Sequence, residues 1–159
     1  MKSKVVVITG ASRGIGKATA IQFAEEGANL ALCCKTEKGR ISLENSISGF
    51  CQNYFVRNFD ISSESSVRDF IAEISSKNNK IDVLINNAAV VYSGKIENIS
   101  SEIWDELMSV NLKGTFLMTK YSLPHISKGG HIVNVGSNAS KVGFPNWSAY
   151  CASKFGILG

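Results

Sequence analysis

The stretch that decides the fold is residues 5–16, which read Val5-Val6-Val7-Ile8-Thr9-Gly10-Ala11-Ser12-Arg13-Gly14-Ile15-Gly16. Its first five residues are all β-branched, which is typical of a strand buried on both faces of a sheet. The three glycines follow at the spacing G-x-x-x-G-x-G, and a helical pattern over residues 15–26 comes after them. Glycines at such a junction let the backbone turn sharply and let an anion approach the free N–H groups of the helix. The stretch therefore predicts a strand, a phosphate-binding turn and a helix.

The rest of the chain continues the alternation of short apolar runs with helical patterns. Further strands are predicted over residues 29–34, 54–59, 81–85 and 131–135. Helices are predicted over residues 64–77 and 101–122, with a short one within residues 36–50 and a last one beginning near Ser148 or Tyr150. Because strands that alternate with helices build a parallel sheet covered on both faces, we predict an α/β fold. The expected architecture is a Rossmann-type, doubly wound sheet in three α/β/α layers, forming a single domain over residues 1–159.

Composition narrows the functional classes. The 159 residues are 44% hydrophobic and 19% charged, which excludes disordered and low-complexity chains. A net charge of +4 without a Lys/Arg-rich run provides no nucleic-acid-binding patch. The sequence shows neither a signal-peptide core nor the roughly 20 apolar residues of a membrane span. We therefore expect a cytoplasmic protein without nucleic-acid or membrane partners.

The cysteines give no sign of a metal site or of disulfides. None of them forms a C-x-x-C pair, and the chain has only two histidines. We predict four buried, reduced thiols at Cys33, Cys34, Cys51 and Cys151, and no metal.

The glycine turn has one close alternative, the Walker A loop of nucleotide triphosphatases. Gly16-Lys17 matches the end of that motif, which also requires Gly at position 11 and Ser or Thr at position 18. This chain has Ala11 and Ala18 instead, so the triphosphatase hypothesis fails at both positions.

At the level of motifs, the sequence resembles the short-chain dehydrogenase/reductase family. Residues 9–16 look like that family's cofactor loop. The resemblance covers the whole chain through the motifs Asp60-Ile61, Asn86-Asn87-Ala88-Ala89, Asn111, Ser137 and Tyr150-Cys151-Ala152-Ser153-Lys154. The motif set is most similar to the carrier-protein ketoacyl reductases and sugar-alcohol dehydrogenases of the family. Ala89 stands where the family usually has Gly, and we expect only a small local adjustment there.

The resemblance implies an oxidoreductase that interconverts a carbonyl and an alcohol of a small molecule by hydride transfer. The implied catalytic residues are Asn111, Ser137, Tyr150 and Lys154. The expected cofactor-binding residues are Gly10, Ser12, Arg13, Gly14, Ile15, Gly16, Lys35, Asp60, Ile61, Asn87, Ala88, Tyr150 and Lys154. In this scheme Asp60 faces the adenine amino group, and Asn87 and Ala88 line a ribose. Asn111 interrupts its helix and holds a water that relays protons through Lys154, whereas Asn86 ties strand ends together.

The residues after the second predicted strand indicate which nicotinamide cofactor is used. A protein that takes NAD usually places an acid there to bind the ribose 2′-hydroxyl. Here Lys35 occupies the position, no carboxylate occurs before Glu37, and Arg13 in the glycine loop could reach the same anion. Two cations without an acid predict a preference for NADP(H) over NAD(H), although Lys35 as a simply solvated strand end is the alternative.

Residue chemistry explains how these residue types could perform the implied catalysis, although a Tyr-x-x-x-Lys spacing taken alone is common and usually structural. Tyr150 and Lys154 lie one helical turn apart, and an ammonium so placed favours the phenolate form of a tyrosine. A phenol can give a proton to a carbonyl that receives hydride. Ser137 could hydrogen-bond the carbonyl oxygen. A serine hydrolase is a poor alternative, because Ser137 is not in a G-x-S-x-G motif and both histidines precede it.

Two other hypotheses stay open at this point. One is a nucleotide-binding domain without catalysis, and the other is an inactive fragment of such an enzyme. The motif ending at Lys154 stands five residues from the end of the sequence. The resemblance therefore implies a chain truncated at its C-terminus, without the last strands of the family's sheet. We expect such a chain to have an uncovered sheet edge and to be poorly soluble or inactive alone. The full-length protein is expected to form a homo-oligomer, a dimer or tetramer.

Overall fold

The computed structural model describes residues 1–51, 53–78 and 80–159, in which five strands form one parallel sheet. The strands are β1 (Val5–Thr9), β2 (Asn29–Cys34), β3 (Tyr54–Asn58), β4 (Ile81–Asn86) and β5 (Ile126–Asn134). The helices are α1 (Gly14–Glu25), α2 (Glu37–Ile47), α3 (Glu64–Asn78), α4 (Ser101–Leu107), α5 (Gly114–Ser122) and α6 (Ser148–Leu158). A π-helical turn (Met108–Lys113) joins α4 to α5, and short 3-10 turns occur at Ile96–Asn98, Leu123–His125 and Asn138–Ser140.

The strand order β3-β2-β1-β4-β5 confirms the predicted doubly wound sheet. β1 pairs in parallel with β2 on one side and with β4 on the other, so the winding direction reverses between β1 and β4. In open α/β sheets, ligands bind at the carboxyl ends of the strands where this reversal occurs. The glycine turn that follows β1 therefore lies at the expected ligand crevice.

Two separate cores cover the two faces of the sheet. Successive residues of a strand point to opposite faces, so Val6 and Ile8 pack with α1 and α2 while Val5 and Val7 pack with α3 and α5. This double burial explains why β1 is apolar at nearly every position rather than at alternate ones. It produces the three α/β/α layers expected from the sequence.

Two elements differ from their predicted form. The helix expected over residues 101–122 contains the π-helical turn, with Asn111 buried inside it. β5 begins at Ile126, five residues before its predicted start, because its pairing with β4 continues across an irregularity. Between two paired positions, β4 advances by two residues and β5 by five, and Gly129 has a φ of +78° there. Residues 127–130 have a sequence that favours a turn, and pairing with β4 holds them in the sheet.

The four cysteines are free and buried, as predicted. Cys33, at the end of β2, is fully buried, and this burial raises the pKa of its thiol to about 12. A thiol with so high a pKa is protonated at neutral pH and is a poor nucleophile.

Asp82 links β4 to β1 and β5 near the amino ends of these strands, away from the glycine turn. Its carboxylate is 5% exposed and accepts hydrogen bonds from the Val5 N–H (2.9 Å), Lys4 Nζ (3.1 Å) and Ser127 Oγ (3.1 Å). Burial alone would raise the pKa of Asp82, but the hydrogen bonds from Val5, Lys4 and Ser127 outweigh it and hold the pKa below its ordinary value. No motif in the sequence indicates this role for Asp82.

We expect Asp82→Asn to lower the free energy of unfolding by about 1–3 kcal/mol at neutral pH, because the hydrogen bonds to the charged carboxylate are lost. The folded-state pKa lies below the unfolded one, so the carboxylate stabilises the fold above the unfolded pKa, and this stabilisation disappears as pH falls through the folded pKa. Urea unfolding at neutral and acid pH should show the two proteins converge in acid. Asp69→Asn, at an exposed carboxylate 3.7 Å from Arg68, is the control. A loss equal at both pH values would contradict this account.

Candidate active site

The turn between β1 and α1 presents a helix N-terminus without a side-chain cap. Within the described residues, no side chain caps α1 at Arg13, and its first turn contains no acidic residue. The first N–H groups of a helix have no partner inside the helix and carry the positive end of its dipole. The start of α1 is therefore suited to an anion supplied by a ligand.

The glycines of this turn serve two different purposes. Gly10 has a φ of +64°, and a Cβ there would come within 2.7 Å of the Ala88 backbone; a Cβ on Gly16 would clash with the Asn87 amide. Both glycines let the turn pack closely against the end of β4. Gly14 has a φ of +55°, and within the described residues no heavy atom outside its own helix backbone and chain neighbours lies within 4 Å of the place of its Cβ. Gly14 therefore leaves open space in front of the helix.

Asn87 and Thr9 lock the turn to β4. The Asn87 Nδ2 donates to the backbone oxygens of Thr9 (3.0 Å) and Gly10 (3.1 Å). The Thr9 Oγ1 accepts from the N–H groups of Asn87 and Ala88, both at 3.0 Å. Sequence reasoning assigned Asn87 to a ligand contact and did not find its clamping role or that of Thr9.

A cavity of about 380 Å³ opens in front of the turn, at the carboxyl ends of the strands. Most of the residues predicted to bind a cofactor line it together: Gly10, Ser12, Arg13, Gly14, Ile15, Lys35, Asp60, Ile61, Asn87 and Ala88. Gly16, Tyr150 and Lys154 are not among the lining residues. Sequence reasoning missed the apolar part of the wall, which includes Cys33, Phe59, Val90 and Val110.

Lys35 lies between two carboxylates at the rim of this cavity. Its Nζ is 3.2 Å from Asp60 Oδ2 and 3.4 Å from Glu106 Oε1 on α4. These contacts, foremost the hydrogen bond to Asp60, raise the pKa of Lys35. The region that lacks an acid in the sequence thus holds two acids in the structure. Arg13 lines the same cavity, and within the described residues no carboxylate lies within 4 Å of it.

Asp60 is held in place by the turn that follows it. Its Oδ1 accepts from the Ser62 N–H (2.9 Å) and the Ser62 hydroxyl (2.7 Å). Burial would raise the pKa of Asp60, but the bonds from Ser62 and Lys35 lower it overall. The Ser63 hydroxyl accepts from the Ser66 N–H at the start of α3, so Ser63 rather than Asp60 caps that helix.

Tyr150 and Lys154 lie on one face of α6, as their spacing predicts. Lys154 is 4% exposed, and its Nζ donates to the Val135 carbonyl (2.9 Å) just beyond β5. The same Nζ lies 5.9 Å from the centre of the Tyr150 ring. Burial lowers the pKa of Lys154. The ammonium is thus fixed beneath the tyrosine and beside the end of the strand that leads to Ser137.

Ser137 is oriented by a reciprocal pair of hydrogen bonds with its own turn. Its Oγ accepts from the Ala139 N–H (3.1 Å), and its N–H donates to Ser140 Oγ (3.1 Å). The turn Asn138–Ser140 packs against α6. Because the Ser137 oxygen is already an acceptor within the turn, its hydroxyl proton is available for another acceptor.

Asn111 connects the loop after β4 to α6. Its Oδ1 accepts from the Val90 N–H (2.8 Å), and its Nδ2 donates to the Val90 carbonyl and to Ser153 Oγ, both at 2.9 Å. The Ser153 hydroxyl in turn donates to the Tyr150 carbonyl (2.8 Å). The predicted interruption of the helix at Asn111 is confirmed by the π-helical turn, whereas the water relay stays a prediction. The sequence did not predict that Ser153 connects Asn111 to α6. Its place between Tyr150 and Lys154 in the motif is the signal that could have indicated it.

Asn86 and Trp147 support the site from two separate parts of the sequence, one at the end of β4 and the other beside Tyr150. The Asn86 Nδ2 donates to Thr119 Oγ1 (3.1 Å) and Asn134 Oδ1 (2.9 Å), which ties β4 to α5 and β5 as predicted. Trp147 packs edge-to-face on Tyr150 with ring centres 5.4 Å apart. Trp147 therefore supports the tyrosine ring.

The family model described as short chain dehydrogenase matches residues 4–159. The chain belongs to this family. Among its curated relatives, an uncharacterized oxidoreductase of Thermotoga maritima is 39% identical and covers 99% of this chain. A 3-oxoacyl-(acyl-carrier-protein) reductase of the same organism is 34% identical over 100% of the chain, and an NAD-dependent glycerol dehydrogenase of Listeria innocua is 37% identical over 98%. The chain spans 63%, 65% and 61% of the lengths of these three relatives.

Solved structures of short-chain dehydrogenases have the same fold. A metagenomic short-chain oxidoreductase in complex with NADP is 32% identical, with a TM-score of 0.93; the match covers 99% of this chain and 72% of the other. Carveol dehydrogenase from Mycobacterium avium in complex with NAD has a TM-score of 0.92 at 23% identity, with 100% and 63% covered, and supports the fold alone. Within the described ranges, the chain has no helix with the length and hydropathy that a membrane span requires.

Proposed function

We propose that this short-chain dehydrogenase interconverts a carbonyl and an alcohol with NADP(H), with Tyr150 as the acid/base. The observation that carries the proposal is the buried Lys154, which the Val135 carbonyl holds 5.9 Å from the Tyr150 ring. Burial of an ammonium costs free energy unless it is hydrogen-bonded, and its position beside a phenol gives it a use in proton transfer. The homo-oligomer, the cytoplasmic location, the single domain and the small-molecule substrate stay predictions.

The glycine turn fits the pyrophosphate of a dinucleotide. The uncapped start of α1 offers N–H donors, and the open space at Gly14 gives an anion room to reach them. In this proposal Ser12, Arg13 and Ile15 complete the phosphate site, while Asp60, Ile61 and Ala88 border the nucleoside.

The chain's own residues would handle the proton and the substrate. When bound, the nicotinamide would supply or accept the hydride. The Ser137 hydroxyl would donate a hydrogen bond to the substrate oxygen. Tyr150 would give that oxygen a proton during reduction. Burial lowers the pKa of Lys154, so its ammonium is a stronger acid than that of an exposed lysine, and in this proposal it would help to restore the proton of Tyr150. Asn111 holds α6 against the loop after β4 through its hydrogen bonds to both.

The preference for NADP(H) rests on the two cations at the cavity. Lys35 and Arg13 both line it, and the position after β2 carries Lys35 rather than an acid. A ribose 2′-phosphate would gain from both cations, whereas a 2′-hydroxyl would not.

We expect Lys35→Ala to weaken NADPH binding about tenfold and to leave NADH binding within about twofold, because a hydrogen bond to a charged group contributes roughly 1.5–3 kcal/mol. Fluorescence titration of both cofactors measures the two dissociation constants. Lys38→Ala is the matched control, an exposed lysine on α2. Equal weakening of both cofactors, or equal binding of both by the unmutated protein, would overturn the preference.

A panel of ketones and aldehydes offered to the full-length protein with NADPH tests the proposed activity. We expect NADPH to be consumed with at least one carbonyl and the corresponding alcohol to form. NADPH binding without consumption across the panel would instead support a nucleotide-binding domain without catalysis.

A further inference from the structure

Glu106 is a second acidic neighbour of Lys35 and comes from a distant part of the chain. It lies on α4, one helical turn before Val110, which lines the cavity. Its Oε1 is 3.4 Å from Lys35 Nζ. The side chains of Lys35 and Glu106 are 57% and 55% exposed, so their contact lies at the solvent-facing rim. It joins the end of β2 to α4 beside the cavity.

The two acids near Lys35 are held in different ways. Asp60 is fixed by two bonds from Ser62, so it cannot move away without breaking its turn. Glu106 contacts only Lys35 among the charged groups of the described residues. Glu106 is therefore the acid whose charge can be removed without disturbing the fold.

Charges around this rim balance. Lys35 and Arg13 supply two positive charges, and Asp60 and Glu106 supply two negative ones. A phosphate group that approaches Lys35 meets an ammonium already shared by two carboxylates. The 2′-hydroxyl of NAD(H) is uncharged and does not compete with the carboxylates for Lys35.

We propose that Glu106 is a specificity-determining residue, whose carboxylate competes with the ribose 2′-phosphate for Lys35 and limits the preference for NADP(H). The inference rests on the proposed function. When NADP(H) binds, its 2′-phosphate must displace the Glu106 carboxylate from Lys35 or bind Lys35 alongside it. In the second case the Glu106 carboxylate repels the phosphate. NAD(H), which lacks that phosphate, leaves the contact intact.

Glu106→Gln tests this directly, since it removes the charge and keeps the size of the side chain. We expect NADPH to bind about threefold more tightly, the range of an exposed ion pair, and NADH binding to stay unchanged. Adenosine 2′,5′-bisphosphate and AMP should reproduce the difference in calorimetry, which needs no turnover. Glu102→Gln is the matched control on the same helix, where the carboxylate bonds Ser100.

A double variant identifies Lys35 as the group through which Glu106 acts. In a Lys35→Ala background, Glu106→Gln should no longer change the affinity for NADPH. If Glu106→Gln shifts both cofactors equally, or neither, while the unmutated protein binds both, the role of Glu106 is overturned and the proposed function stands. If the folded unmutated protein binds neither cofactor, the proposed function fails and this inference fails with it.

Discussion

Tyr150→Phe is expected to lower turnover about a thousandfold while NADPH binding stays within about twofold. The phenyl ring would keep the edge-to-face contact with Trp147, so α6 loses no packing. Within the described residues, the Tyr150 hydroxyl has no hydrogen-bond partner, so its removal should leave the fold intact. What disappears is the proton that the hydroxyl gives to the substrate oxygen.

Turnover and a cofactor titration on the same full-length variant separate the two effects. Tyr121→Phe is the matched control, because its hydroxyl bonds Glu64 (2.7 Å) away from the cavity. That variant should keep its turnover. Undiminished turnover of Tyr150→Phe would remove the tyrosine from the mechanism.

Gly14→Ala has the second large expected effect, on cofactor binding. The added Cβ would enter the open space in front of α1, and we expect NADPH and NADH to bind at least about tenfold more weakly. The positive φ of +55° adds a cost of about 1–2 kcal/mol to the free energy of unfolding. Binding should therefore fall far more than stability.

Gly27→Ala provides the control for backbone strain. Gly27 has a φ of +76°, lies after α1 and is distant from the cavity, so it should lose similar stability and keep its cofactor affinity. Gly10→Ala should lose more stability than either, because its Cβ would approach Ala88. Unchanged affinity in Gly14→Ala would mean that the phosphates do not lie at this turn.

Local patterns in the sequence predict most of the fold. β1 is recognisable because burial on two faces requires apolar residues at nearly every position. The start of β5 was missed because Gly129 and Gly130 favour a turn, and only the pairing with β4 holds them in the sheet. Such pairing is a property of two distant segments, which a local pattern does not contain.

The same distinction applies to the candidate site. Residues near one another in sequence, such as Tyr150 and Lys154, were placed on one face by helical spacing alone. Glu106 was not found, because its contact with Lys35 spans 71 positions and depends on how α4 packs beside the sheet. The clamp between Thr9 and Asn87 is of the same kind. Motifs indicate which residues belong to the site. The packing of distant segments determines which ion-pair and hydrogen-bond partners each of them has there.

Titration of the folded protein with NADPH, followed by the fluorescence of the nicotinamide, shows whether the turn between β1 and α1 binds a dinucleotide. We expect saturable binding of NADPH, tighter than that of NADH, which Gly14→Ala weakens and Gly27→Ala leaves unchanged. A protein that is folded by circular dichroism yet binds neither NADPH nor NADH would show that this turn is not a dinucleotide site.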